Sequence, residues 1–121
     1  MTTHQVADRL VALCREGKNL QAVDELYAAD VESVEAFGDE KMPKVMKGIE
    51  AVRGKNQWFF SAHEIHGGTI DPPLVTDTHF CVRATIDVTQ RESGQRFNMA
   101  ELCVYEVKDG KIVREEFFYR M

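Results

Sequence analysis

A glutamate set among residues that need burial is expensive to fold, and Glu115 is one such residue. Its neighbours along and across the C-terminal strands, Val104 and Phe117, are apolar. A carboxyl group there is neutral, paired, or lining a wet pocket. In a pocket it can take up and release protons. The alternative is a structural pair with a backbone group or with Arg53. His63 shares strand parity with Ile65 and so turns inward, while Glu64 and His66 point the other way. An inward neutral imidazole can serve as acid, base or hydrogen-bond donor. The competing reading is a satisfied histidine in the core or at a helix end. No HxxxH or His-Asp pair is present, so no metal site and no cofactor are expected. Gly67-Gly68 lacks the Lys-Ser/Thr and helix signal of a phosphate loop. Cys14, Cys81 and Cys103 have neither CxxC spacing nor an evident activating partner, which leaves nucleophilic catalysis without a carrier.

The elements that must position these groups follow from periodicity. Thr2 and Gln5 form a capping box ahead of Val6, Leu10, Leu13 and Cys14 at helical spacing, with Gly17 as the stop. Asn19 caps a second helix bearing Leu20, Val23, Leu26 and Tyr27. Residues 31–35 read as a short strand that puts Val31, Ser33 and Glu35 on one side. Residues 36–47 read as a loop, whose Met42, Val45 and Met46 can fold over something apolar. A third helix spans about 48–62, carrying Ile49, Val52, Asn56 and Phe59 on one stripe beside Trp58 and Phe60. Residues 63–70 read as a strand, ended by Asp71-Pro72-Pro73.

Two turns set the register of the last third. Asp109-Gly110 is a two-residue hairpin signal that pairs Lys108 with Lys111, and by counting back Val104 with Glu115 and Leu102 with Phe117. Glu92-Ser93-Gly94 read as a three-residue loop pairs Arg91 with Gln95 and Ile86 with Ala100. One face then gathers Phe80, Val82, Ala84, Ile86, Ala100, Leu102, Val104, Glu115, Phe117 and Tyr119. The opposite face holds Arg83, Asp87, Glu101, Tyr105, Arg114, Glu116 and Phe118. Such a mixed face of charge and aromatic surface suits a homodimer contact.

The bulk numbers bound the function. A length of 121 residues fits one domain, residues 1–121, with an adequate core. A net charge of -5 argues against a nucleic-acid partner. No apolar run nears membrane-spanning length and the N-terminus lacks signal-peptide features, so the expected setting is the reducing cytoplasm, away from membranes.

The order of helical hairpin, short strand, helix and long strands resembles the nuclear-transport-factor-2-like superfamily, and its SnoaL-like branch in particular. Residues 26–31 (Leu-Tyr-Ala-Ala-Asp-Val), 48–53 (Gly-Ile-Glu-Ala-Val-Arg) and 109–113 (Asp-Gly-Lys-Ile-Val) carry the resemblance. It implies an α+β cone: three N-terminal helices on a curved antiparallel sheet, enclosing a pocket for a small-molecule ligand, with the other sheet face used for a homodimer. It also implies a choice between proton-transfer enzymes, such as isomerases, cyclases and dehydratases, and domains that only bind or assemble. Aligned with ketosteroid isomerases, Glu35 falls where those enzymes carry their general base. Their tyrosine and protonated-aspartate oxyanion donors fall at Leu10 and Leu102, which donate nothing. The expected site is therefore Glu35 as base with His63 or Glu115 assisting, in a cavity walled by Trp58, Phe59, Leu102, Phe117 and Tyr119.

Overall fold

The computed structural model describes residues 1–120. Helix α1 (Thr3–Arg15) starts on the expected capping box, in which Thr2 and Gln5 satisfy each other's backbone N–H groups. Helix α2 (Asn19–Leu26) already includes Asn19; Lys18 precedes it and offers no side-chain cap. The chain passes from Leu26 straight into β1 (Tyr27–Val34), so the first strand is longer than residues 31–35. Then follow β2 (Val45–Lys47), α3 (Ile49–Ala62), β3 (His63–Ile70), β4 (Leu74–Val75), β5 (His79–Gln90), β6 (Arg96–Lys108) and β7 (Lys111–Phe118). Strands β2 and β4 fall in segments that carry too few residues to announce a strand.

The seven strands form one sheet in the order β2-β1-β7-β6-β5-β3, with β4 on β5. The sheet is mixed rather than antiparallel, because β1 runs parallel to β7. That parallel pairing sets Ser33 beside Glu115. It forms because α2 delivers β1 to the sheet next to the last strand, with the whole chain as the crossover.

Both C-terminal turns exist, but the first registers one residue away from expectation and the ladder beyond the second shifts by one. Four residues, not three, turn between Gln90 and Gln95, whose backbones hydrogen-bond at 2.8 Å. Gly94 takes the left-handed conformation at φ 72°. Ile86 therefore faces Met99 instead of Ala100. At the second turn Asp109 and Gly110 both adopt positive φ, 52° and 74°, and Lys108 does face Lys111. A bulge at Val113 then shifts the ladder, so Val104 faces Glu116 and Tyr105 faces Glu115. The first shift flips every side chain of β6, and the second restores β7. Phe80, Val82, Cys103, Tyr105, Val107, Ile112, Glu115 and Phe117 thus share the inner face, and Glu101 joins them. Leu102 and Val104 turn outward with Arg83, Arg114 and Phe118; Leu102 is 43% exposed.

One apolar cluster joins Val6, Leu10 and Leu13 of α1, Val23 and Leu26 of α2, and Val52 of α3 to Phe80, Val82 and Ile112 of the sheet. Phe80 stacks on Tyr105 with ring centroids 4.6 Å apart. Among the described residues no helix is long and apolar enough to cross a membrane. We expect Phe80→Ala to lower unfolding free energy by about 3–5 kcal/mol, read from urea midpoints. Leu74→Ala, at an exposed position, is expected to stay within about 0.5 kcal/mol.

Candidate functional site

The inner sheet face and the helices leave a cavity of about 1050 Å³. Its polar end is built by three elements. Strand β7 contributes Glu115, which is 1% exposed. Strand β1 and the residue after it contribute Ser33 and Glu35, the latter tied by its N–H to the Lys44 carbonyl at 2.8 Å. Helix α3 contributes Lys55, one turn beyond Val52 on its inward side.

Lys55 Nζ joins these groups. It donates to Ser33 Oγ at 2.7 Å, to Glu35 Oε1 at 2.9 Å and to Glu115 Oε2 at 3.4 Å. All three ammonium protons therefore have acceptors. The Ser33 hydroxyl donates to Glu115 Oε2 at 2.6 Å, and the Tyr27 hydroxyl donates to Glu115 Oε1. The other oxygen of Glu35 accepts from Tyr119 at 2.9 Å. The Phe117 ring lies beneath Lys55, 4.6 Å from Nζ to the ring centroid.

The electrostatics follow from this packing. Burial acts to lower the Lys55 pKa, but Glu115 and Glu35 outweigh it and hold the ammonium above the usual lysine value. Glu101, on β6, also borders the cavity. Burial, aided by the charges of Glu35 and Glu115, pushes its carboxyl up to about 6. Tyr27 is raised well above the tyrosine range by burial and by the Glu115 charge, so it stays a neutral donor. Burial also lifts the Tyr119 hydroxyl, with the Glu35 charge adding to it. Burial raises the Cys14 thiol to about 11, and raises Cys103 further, which leaves both poor nucleophiles.

The other end of the cavity is aromatic. His63 is 4% exposed and stacks on Phe59 with centroids 4.3 Å apart. Trp58 and Phe97 meet its ring edge-on at 5.8 and 5.9 Å. Its Nδ1 lies 2.9 Å from the Phe59 carbonyl oxygen. It lies eight positions beyond Lys55, about 12 Å along the axis at the helical rise.

The cavity thus brings together Glu35, His63, Glu115, Trp58, Phe59, Phe117 and Tyr119, all on its wall. Leu102 is not there: the extra turn residue puts it on the outer face. Arg53 does not reach Glu115; it pairs with Asp24 and Glu50. His63 and Glu35 border one cavity but do not converge on one atom. Sequence reasoning missed Lys55 and Glu101. The spacing of Lys55 from Val52 and Phe59, on the apolar stripe of α3, was the available signal. Among the described residues no three His, Cys, Asp or Glu side chains are grouped as metal ligands.

Comparison with solved structures gives the same architecture. A Burkholderia thailandensis NTF2-like protein superposes with a TM-score of 0.83 at 20% identity, over 99% of this chain and 92% of that one. A Catenulispora acidiphila protein with a ketosteroid isomerase-like fold, solved with trimethylamine, gives 0.75 at 20% identity, over 99% and 88%. These define the fold. The sequence profile of the SnoaL-like domain matches residues 1–119, and the chain belongs to that family. A Mesorhizobium loti protein named as a candidate SnoaL-like polyketide cyclase is 38% identical, with a TM-score of 0.92 over 98% of this chain and all of that one. A search of curated proteins found no match.

The raised carboxyl of Glu101 has a pH signature. Its folded pKa lies above the ordinary glutamate value, so the stability it allows is complete below that value and falls as pH rises through about 6. Glu101→Gln removes the penalty. We expect it to stabilise the protein by up to about 2 kcal/mol near pH 8 and to have no effect near pH 4, measured by urea unfolding across pH.

Proposed function

We propose that this SnoaL-like protein catalyses proton transfer on a small, largely apolar carbonyl compound: an isomerisation, cyclisation or dehydration. The observation that carries this reading is the placement of Lys55 Nζ 2.9 Å from Glu35 at the floor of the cavity. Glu35 is the base. Lys55 donates to one of its oxygens, and Tyr119 orients the other. The carboxylate takes a proton from a carbon beside the carbonyl, and the C–H electron pair becomes the carbon–carbon double bond of an enol. Glu101, raised to about 6, gives a proton or a hydrogen bond to the carbonyl oxygen as charge develops there. Delivery of the Glu35 proton to another carbon completes an isomerisation. The helices and sheet would close as a cone around the ligand, and the apolar wall of Phe117 and Phe59 would exclude water.

The test is exchange of the benzylic α-protons of β-tetralone in deuterium oxide, followed by proton NMR. Wild-type protein is expected to accelerate exchange, and Glu35→Gln to reduce the acceleration at least about 100-fold. No acceleration by folded wild type would favour a non-catalytic binding domain. That second reading draws on the full set of acceptors already held by Lys55.

In the same reading the chain works as a homodimer through the outer sheet face, where Phe118 and Leu102 are 48% and 43% exposed among Arg83, Asp87, Arg114 and Glu116. Its three unpaired thiols suit a reducing, cytoplasmic setting. Sedimentation at micromolar concentration is expected to give twice the chain mass; a monomer would remove the dimer.

A further inference from the structure

We infer that His63 is a specificity-determining residue: its Nε2 is a fixed hydrogen-bond acceptor at the aromatic end of the cavity, and it selects ligands that carry a hydroxyl or N–H group remote from the reacting carbonyl. The inference rests on the proposed function only for which end of the ligand reacts.

The tautomer follows from one contact. Nδ1 lies 2.9 Å from the Phe59 carbonyl, and a carbonyl oxygen can only accept, so Nδ1 carries the hydrogen. In the neutral ring Nε2 then holds a lone pair. Among the described residues Nε2 has no hydrogen-bond partner. It is also not sealed from solvent, because among the described residues every fully buried side-chain nitrogen and oxygen does have a partner. His63 is only 4% exposed and borders the cavity, so the cavity is the approach by which a ligand reaches it.

The ring cannot turn away. Phe59 covers its face at 4.3 Å, and Trp58 and Phe97 hold it edge-on. The acceptor is therefore preorganised. An apolar or ether group placed against Nε2 would strip its water and return no hydrogen bond, which is how a polar pocket atom rejects a near-isostere. The backbone positions of Lys55 and His63 lie about 12 Å apart at the helical rise, so the two ends of the ligand are remote from each other, and roughly one aromatic ring with a vinyl link stands between a carbonyl near Glu35 and a donor at His63.

The test uses a chalcone with a para-hydroxyl on its styryl ring and the matching para-methoxy compound. Neither has an α-hydrogen on a saturated carbon, so binding is read without turnover and independently of the exchange assay. Trp58 is the chain's one tryptophan and touches His63, so its quenching reports occupancy of this end. Wild type is expected to bind the hydroxychalcone on the order of tenfold more tightly than the ether. His63→Phe, which keeps the ring, should bring the two within about twofold. Nitrogen NMR of histidine-labelled wild type supplies a readout that needs no variant: the Nε2 resonance should move toward its protonated position with the hydroxychalcone and stay with the ether. Equal wild-type affinities, an unmoved Nε2 resonance under saturating hydroxychalcone, or failure of both compounds to bind would each overturn the inference.

Discussion

Lys55 lies with its ammonium against two glutamates in a site where Glu115 is all but sealed from water, and any one of these charges alone would cost several kcal/mol to bury. Burial favours the neutral form of the lysine, and the two glutamates outweigh it and hold the ammonium charged. The trio therefore demands that three distant stretches of chain meet within a hydrogen bond of one another. Parallel pairing of β1 with β7 brings Ser33 beside Glu115. The Val113 bulge aims Glu115 inward. Val52, fully buried one turn earlier, fixes the face that α3 presents. The architecture serves this contact as much as the contact serves the architecture.

A second consequence is division of labour along the cavity. The polar end carries three carboxyl groups and one cation, so it is electronegative, and the group least compensated by Lys55 has to respond. Glu101 is that group. Its pKa of about 6 arises from burial, with Glu35 and Glu115 adding to it. The aromatic end is built from stacked and edge-on rings. Its rings fix His63 and supply the low-dielectric wall that strengthens every interaction at the other end.

Local sequence signals read the elements well and the register poorly. The capping box, the α3 stripe and both turn signals all lie in short windows, and all exist in the fold. The parallel strand was not legible, because no local pattern says which neighbour β1 will choose. Register failed for a similar reason. Whether Gln90 or Arg91 closes the first turn, and whether Val113 is looped out, depend on packing across the sheet rather than on turn residues. One extra residue in the loop moved Leu102 outward and brought Glu101 and Tyr105 inward. The bulge then restored β7, so Glu115, Phe117 and Tyr119 lie on the expected face although their partners differ. Lys55 went unread because a lysine on an apolar stripe looks like an interruption until the acids facing it are known.

That interruption bears on function. A buried ion pair is weak evidence for stability, since apolar residues of similar size often serve as well or better. At position 55 a leucine, with glutamines facing it, would keep the packing on Phe117 and shed the desolvation cost of three charges. A core built for stability alone has no use for Lys55, Glu35 and Glu115 together. They make sense where the cavity is put to use: Glu35 is partly open to it, Tyr119 trims its orientation, and the more deeply buried Glu115 holds the lysine from behind through Ser33 and Tyr27. On this account Glu115 is a positioning residue. The path by which its loss would be felt runs through Lys55 to the position of Glu35, not through contact with a ligand.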